Sequence, residues 1–95
     1  MAVKVIVELK AKPGRRDELR SRIEQLAKRD RPGGYHGSTY YESLDDPDLL
    51  IDIADWESPE ARTTHLSKAL ADGSYGPALE LLARPIRATV IRRLP

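Results

Sequence analysis

The residue of this sequence best suited to chemistry is an acid in the middle of an apolar stretch. Asp52 lies within Leu49–Trp56, which reads LLIDIADW. Side chains of a strand alternate between its two faces, so Asp52, Ala54 and Trp56 share one face. Burial of a carboxyl group raises its pKa, and Asp52 could then act as a base near neutral pH. The alternative is structural: Asp52 pairs with an arginine of a neighbouring strand or lies at an exposed strand edge.

Four other side chains could complete a site around Asp52. Trp56 is the only tryptophan; it could wall a cavity and donate one hydrogen bond, with a role in the core alone as the alternative. His65 lies on an apolar row of the second predicted helix and could face the sheet as an acid or base, or could be a boundary residue without chemistry. His36 and Tyr40 follow a pair of glycines and could rim a pocket; an exposed loop position is the alternative for His36.

No motif of established catalytic mechanism accompanies these residues. The sequence contains no G-x-G-x-x-G, P-loop, H-E-x-x-H or nucleophile elbow. Its two histidines lie on different predicted elements and its acids are scattered, which is not the ligand spacing of a metal site. We therefore expect no metal.

Length and composition restrict the class of protein. With 95 residues and no cysteine, the chain is expected to form one domain over residues 1–95, and its small core would gain stability from oligomerisation rather than from disulfides. A net charge of +1 argues against a nucleic-acid partner. The sequence has no run of about 18 apolar residues and no secretory signal, so we expect a soluble cytoplasmic protein without a membrane partner.

Hydrophobic periodicity and turn residues predict the elements that must position these side chains. Ser58-Pro59-Glu60 is a helix start, because serine can cap free N–H groups and proline suits the first turn. The predicted strands cover residues 2–10, 37–44, 49–56 and 85–94, and the predicted helices run from Arg15 to a break at residues 31–34, from 58 to about 71, and from 75 to 83 with Leu79, Leu81 and Leu82 packed inward. This βαββαβ order predicts a ferredoxin-like α+β fold, an antiparallel sheet with helices on one face.

The third predicted strand is apolar on both faces. Its two faces carry Leu49, Ile51 and Ile53 on one side and Leu50, Ala54 and Trp56 on the other. Helices can cover only one face of a four-stranded sheet, so something else has to cover the second. A second copy of the sheet is the simplest cover, and it predicts a homodimer with an interface of roughly 2,000 Å² or more.

The order and spacing of several short motifs resemble the antibiotic biosynthesis monooxygenase domain over nearly the whole chain. The motifs are Lys12-Pro13-Gly14 with Glu18-Leu19, Arg31-Pro32-Gly33-Gly34, Asp46-Pro47-Asp48, and Asp55-Trp56-Glu57-Ser58-Pro59-Glu60-Ala61 with His65 nine residues after the tryptophan. The resemblance implies a dimeric α+β barrel with a cavity between sheet and helices in each protomer. It also implies oxidation of phenols or hydroquinones by dioxygen without metal or flavin, since the deprotonated substrate itself supplies the electrons.

The resemblance assigns roles to individual positions. Trp56 matches the family tryptophan that lines the cavity and can hydrogen-bond the substrate. Asp52 stands where the aromatic-polyketide oxygenases have an asparagine; an ionised aspartate would repel a phenolate, whereas a base could accept the proton of the phenol. Arg62 stands where they have a tyrosine, and it could pair with Asp52 or with an anionic substrate. Haem degradation is not expected, because the chain contains no asparagine and Val7 occupies the first-strand position where haem-degrading relatives need one.

Residues and resemblance together predict a cofactor-independent monooxygenase that acts on an aromatic polyketide or quinol-like substrate with dioxygen. In this interpretation Asp52 is the base or polar anchor, Trp56 and Tyr40 contact the aromatic ring, and His65 or Arg62 stabilises charge. Two alternatives stay open: a non-oxidative polyketide cyclase or isomerase, and a non-catalytic small-molecule-binding protein with the same fold.

Overall fold

One antiparallel sheet carries the helices of the protein. The computed structural model describes residues 1–29 and 33–95. The elements in chain order are β1 (Val3–Lys10), α1 (Arg16–Arg29), β2 (Tyr35–Glu42), β3 (Leu49–Trp56), α2 (Pro59–Asp72), α3 (Gly76–Leu79) and β4 (Arg87–Ile91). The strands lie in the spatial order β2-β3-β1-β4, and every neighbouring pair is antiparallel. The predicted ferredoxin-like α+β fold is confirmed.

The register of the strands determines which side chains face the helices. Asp52 on β3 lies opposite Val7 on β1 and opposite Tyr40 on β2. Directly paired residues point to the same face of a sheet. The helices cover this face, and its central positions on β1 and β3 are buried. Asp52 therefore points between the sheet and the helices.

Two apolar clusters form the core on the covered face of the sheet. The first packs Leu19 of α1 against Leu9 and Leu50, and the second packs Trp56 against Val5 and its neighbours. Along β3, Asp52 lies between a residue of the first cluster and a residue of the second: it comes two residues after Leu50 and four before Trp56. The polar side chain thus sits in a gap of the core rather than at its margin.

Helix α2 has the ends that its sequence predicts. The Oγ of Ser58 accepts a hydrogen bond from the backbone N–H of Ala61 at 3.1 Å, and Pro59 occupies the first turn. At the other end Gly73 adopts a φ of 72° and its N–H bonds to the carbonyl of Ala69. Both caps satisfy backbone groups that the helix leaves unpaired. The position of the helix along the chain is fixed by these residues.

The third helix is shorter than predicted. It ends at Leu79, which is 44% exposed, so the prediction that Leu79 packs inward is wrong, although Leu81 is buried. The chain leaves the helix to hydrogen-bond with the end of β1: the Lys12 N–H bonds to the Leu81 carbonyl at 2.8 Å, and the Ala83 N–H bonds to the Lys10 carbonyl at 2.8 Å. These hydrogen bonds to the end of β1 hold residues that the apolar pattern assigns to the helix.

The bounds of β2 and β4 also differ from the prediction, and β2 ends at Glu42 rather than at residue 44. β2 begins at Tyr35, two residues early, because a bulge between Tyr35 and Gly37 keeps the chain paired with β3. β4 covers only Arg87–Ile91 of the predicted 85–94. The predicted break of α1 at residues 31 and 32 lies outside the described residues.

The second face of the sheet has no cover from the described part of the chain. Ile6, Ile51 and Ile53 lie there on adjacent strands and are partly exposed. A salt bridge of 2.5 Å between Lys4 and Asp55 borders them. None of the helices in residues 1–29 and 33–95 is long and apolar enough to cross a membrane.

Candidate functional site

A cavity of about 270 Å³ lies between the sheet and the helices. This volume is close to the lower end of the roughly 300–1,000 Å³ typical of small-molecule sites. Five of the six residues predicted for the site line it: Tyr40, Asp52, Trp56, Arg62 and His65. His36 does not line it; its side chain is exposed next to the bulge of β2.

Asp52 is a buried acid with an unfilled hydrogen-bonding capacity. Its residue is 9% exposed, and Oδ1 meets no hydrogen-bond partner among the described residues. No ion pair joins Asp52 to a side chain that the structure describes, so the arginine pairing considered above is not seen there. Burial raises the pKa of the carboxyl group, while the Ser38 hydroxyl acts in the lowering direction. A carboxyl group held this way binds a proton more tightly than an exposed aspartate does.

Tyr40 lies beside Asp52 on the neighbouring strand. Burial first, and then the negative charge of Asp52, raise the pKa of the Tyr40 phenol. From α1 the guanidinium of Arg20 lies over the Tyr40 ring, 5.6 Å from its centroid. A cation over a ring face is attracted to the electrons of the ring, so this contact holds Tyr40 in place. Tyr40 is therefore a neutral wall of the cavity.

A hydrogen-bonded pair of hydroxyls stands next to Tyr40 on the same strand. The Tyr35 hydroxyl and Ser38 Oγ are 2.5 Å apart, and either oxygen can be the donor. Both side chains line the cavity. Because Ser38 lies two residues before Tyr40, it points to the same face as Asp52.

The other end of the cavity is aromatic. The ring centroids of Trp56 and His65 are 5.6 Å apart, and those of Trp56 and Tyr35 are 5.2 Å apart. His65 Nε2 and the hydroxyl of Tyr75 are 2.7 Å apart. A neutral imidazole can donate or accept there, and protonated His65 would donate. This end combines flat walls for a ring with one group able to exchange a proton.

Positive charge reaches the cavity from α2. Arg62 and Lys68 contribute to its lining. A cation near an apolar cavity stabilises an anion formed inside it more strongly than it would in water. Within residues 1–29 and 33–95, no group of three or more histidine, cysteine or acidic side chains could hold a metal ion.

The family model for antibiotic biosynthesis monooxygenases matches residues 2–71. The chain belongs to this family. No curated protein matches the chain.

Solved structures show the same fold along the full chain. A Bordetella bronchiseptica protein provisionally named an antibiotic biosynthesis monooxygenase superimposes with a TM-score of 0.85 and 19% identity, covering 99% of this chain and 98% of that one. Rv0793 from Mycobacterium tuberculosis gives a TM-score of 0.78 and 25% identity over 100% and 97% of the two chains. A Chloroflexus aurantiacus protein with the same provisional name gives 0.75 and 23% over 100% and 97%.

The sequence did not predict that Tyr35, Ser38 and Tyr75 line the cavity. Ser38 could have been found, because it shares its strand parity with Tyr40. Tyr35 has the opposite parity, and only the bulge before Gly37 turns it to the cavity face. Tyr75 reaches His65 through the chain reversal after α2, which no spacing rule reveals.

Proposed function

We propose that the protein is a cofactor-independent monooxygenase that oxidises an aromatic polyketide or quinol-like substrate with dioxygen. The observation that carries the proposal is the buried carboxyl of Asp52, whose Oδ1 has no described partner and whose pKa is raised by burial. A phenol O–H that enters the cavity would supply the missing donor. A base with raised proton affinity is better suited to remove that proton than an exposed aspartate is.

The aromatic end of the cavity supports the same reaction. The rings of Trp56 and His65 offer flat surfaces for a fused-ring substrate. A phenolate formed by proton transfer to Asp52 would be stabilised by Arg62 and by a hydrogen bond from protonated His65. Proton removal and charge stabilisation are the two tasks that this chemistry leaves to the protein.

The proposed reaction balances without a resident cofactor. The phenol O–H proton moves to Asp52, and the phenolate transfers electrons to dioxygen. A C–O bond then forms at a ring carbon that bears hydrogen, and the resulting peroxide anion takes the proton back from Asp52. The hydroperoxide then loses water, which carries away that proton and the hydrogen of the ring carbon, and a carbonyl group is left. One oxygen atom enters the product and the other leaves as water.

Oxygen consumption by metal-stripped protein tests the proposal. We expect uptake of dioxygen with anthrones or quinols, and products that carry one atom from isotopically labelled dioxygen. Asp52→Ala should lower the rate by roughly 10²-fold or more, as expected for loss of a positioned base. Asp55→Ala is the matched control, because Asp55 lies near Asp52 in sequence but points to the other face of the sheet and pairs with Lys4.

A rate equal to that of buffer, for every substrate tried, would contradict the proposal. The same products analysed by mass distinguish the alternatives. Loss of water without gain of oxygen would identify a cyclase. Recovery of unchanged ligand from a tight complex would identify a binding protein.

We also propose that two copies pair through the open face of the sheet. The isoleucines of this face, Ile6, Ile51 and Ile53, offer an apolar surface that water contacts in a single protomer. Light scattering should report a dimer. Ile53→Lys should shift the protein to a monomer, because the substitution would bury a charge in the interface. A monomeric wild-type protein at working concentration would overturn this pairing.

A further inference from the structure

The cavity runs along the strands from an aromatic end to an aliphatic end. At the aromatic end Trp56 pairs with Tyr35 on β2 and with Val3 at the start of β1. At the aliphatic end the lining comes from Leu9, near the end of β1, and from Leu82, which packs against the same core cluster. Val3 and Leu9 are six residues apart in the sequence, which corresponds to about 20 Å along a strand.

The acid lies between these two ends. Asp52 pairs with Val7, which is midway between the start of β1 and its end. A phenol ring placed against Trp56 and His65 at the aromatic end, as in the proposed function, can present its O–H to Asp52. The enclosed volume is about 270 Å³, near the small end for ligand sites. A long substituent on such a ring therefore has to extend toward an opening of the cavity.

The opening beside α2 and α3 is mainly aliphatic. Among the described residues that line the cavity, four are exposed: Lys68, Leu70, Leu79 and Ile86. The exposed fractions are 70% for Leu70, 44% for Leu79 and 43% for Ile86. A side chain that lines a cavity and also contacts water lies at its opening. We call Leu70, Leu79 and Ile86 the aliphatic rim.

The course of the chain places the rim at the aliphatic end of the cavity. The register of β1 with β4, continued by one residue, brings Ile86 opposite Leu9. Leu79 ends α3, after which the chain forms its hydrogen bonds with the end of β1. Leu70 lies in the last turn of α2, which leads into α3. A substituent that passes Asp52 toward Leu9 therefore reaches the rim.

Hydrocarbon is the chemistry that the rim favours. Apolar side chains in contact with water gain free energy when another apolar group covers them. Full burial of one methylene group strengthens binding about fourfold. Lys68 adds a cation beside the rim, but its aliphatic stem can contact hydrocarbon while its ammonium group stays in water. An aliphatic chain laid across the rim would therefore bind without requiring a hydrogen bond.

The other surfaces of the protein make the rim the natural exit for such a chain. A second opening, between α1 and β2, is lined by Glu24 and Lys28 and suits a polar group instead. The proposed pairing of two copies uses the opposite face of the sheet. That pairing would leave the aliphatic rim in contact with water and open to a ligand.

We propose that the substrate carries an aliphatic chain on its phenol or quinol ring, and that the chain lies across the aliphatic rim. The inference rests on the proposed function for the position of the ring, between Trp56 and Asp52. It narrows the substrate from aromatic compounds in general to alkylated phenols or quinols. The chain contributes to binding and takes no part in the oxidation.

Binding of oxidised analogues measures recognition of the chain without turnover. The probes are naphthoquinones that carry a hydroxyl group and, on the neighbouring carbon, a hydrogen, methyl, butyl, hexyl or octyl group. Trp56 is the only tryptophan, so quenching of the protein's tryptophan fluorescence reports binding in the cavity. We expect Kd to fall by about twofold to fourfold for each added methylene group that reaches the rim.

Two variants of the rim test whether it is the site of the chain. Leu70→Ser and Leu79→Ser should each weaken binding of the octyl probe by about fivefold or more. Both should keep wild-type affinity for the probe without a chain, which also shows that they are folded. Leu44→Ser is the matched control, because Leu44 is 92% exposed and does not line the cavity. It should bind every probe as wild type does.

Three results would overturn the proposal. One is an affinity of the wild-type protein that stays constant along the series of probes. Another is an equal loss of octyl binding in Leu44→Ser and Leu79→Ser, since the gain from the chain would then be nonspecific. The third is a change of oligomeric state in Leu70→Ser or Leu79→Ser, measured by light scattering, which would show that a second copy of the chain covers the rim.

Turnover separates this inference from the proposed function. If the protein oxidises quinols, an octyl chain should lower KM and leave kcat nearly unchanged, because the chain is bound equally in the ground state and the transition state. Equal kcat/KM for the plain and octyl quinols would refute recognition of the chain while the oxidation stands. Binding that strengthens with chain length, without oxidation of any quinol, would refute the function and support the recognition of the chain.

Discussion

Replacement of Gly34 by alanine is expected to destabilise the protein through two separable effects. Gly34 precedes β2 with a φ of 83°, which an L side chain rarely adopts. A Cβ atom there would lie 2.8 Å from Ala61 Cβ and 2.8 Å from Glu57 Cγ at the start of α2. The Glu57 side chain can move aside, but Ala61 Cβ is attached to the helix backbone and cannot. The substitution therefore strains the backbone and also pushes α2 away from the sheet.

The magnitude follows from adding these two terms. A left-handed backbone costs an L residue about 1–2 kcal/mol, and overpacking costs about 1–3 kcal/mol. The free energy of unfolding should therefore fall by about 2–5 kcal/mol. In a domain of this size each kcal/mol corresponds to about 4–8 °C in Tm, so a loss of about 8–40 °C is expected.

Gly14 provides the matched control. It has a φ of 75°, but a Cβ there would meet nothing within 4 Å. Gly14→Ala should therefore lose only the backbone term, about 1–2 kcal/mol. Thermal unfolding of both variants at one fixed protein concentration measures the difference. Equal losses in the two variants, or a Gly34→Ala loss that Ala61→Gly does not partly relieve, would refute the packing argument.

Three further predictions concern the acid, its neighbour and the helix that faces them. Burial raises the pKa of Asp52, so the folded state holds the Asp52 proton more tightly than the unfolded state does. The free energy of unfolding should therefore fall as pH rises from the ordinary aspartate value of 3.8 through the folded pKa. Urea unfolding should show this fall in wild type and not in Asp52→Asn, and parallel pH profiles of the two proteins would contradict the prediction. The pKa of Tyr40 should fall in Asp52→Asn, because the charge of Asp52 helps to raise it. Ultraviolet titration measures this pKa, with Tyr40→Phe to assign the signal, and an unchanged pKa in Asp52→Asn would count against the prediction. Ser58→Ala should lower the free energy of unfolding by about 1 kcal/mol through loss of the α2 cap. Urea unfolding measures this loss, and Ser58→Thr is expected to keep most of the stability. A Ser58→Ala protein as stable as wild type would contradict the prediction.

The sequence was most informative where one physical signal was strong and local. Alternation along residues 49–56 correctly placed Asp52 and Trp56 on one face, because a regular strand leaves no other choice. The cap at Ser58 correctly located the start of α2, because a serine followed by proline satisfies the free N–H groups there. Family membership agrees with the resemblance of the motifs.

The sequence was least informative where distant segments decide the outcome. The apolar pattern extended α3 through Leu82, but hydrogen bonds to the end of β1 take those residues out of the helix. The bulge before Gly37 turned Tyr35 to the cavity and left His36 exposed, and period-two reasoning cannot place a bulge. The contact of His65 with Tyr75 depends on the chain reversal at Gly73. The catalytic roles of these residues stay predictions.

Part of the surroundings of Asp52 comes from β2, a strand at the edge of the sheet. Among the described strands β2 pairs only with β3. It supplies Ser38, whose hydroxyl favours the ionised form of Asp52, and Tyr40, whose own pKa the charge of Asp52 helps to raise. Substitutions on that strand can consequently adjust acidity without disturbing the β1–β3 centre on which the core is built. Family members with the same fold could therefore work at different pH values, because one or two substitutions on this edge strand change the pKa of the acid.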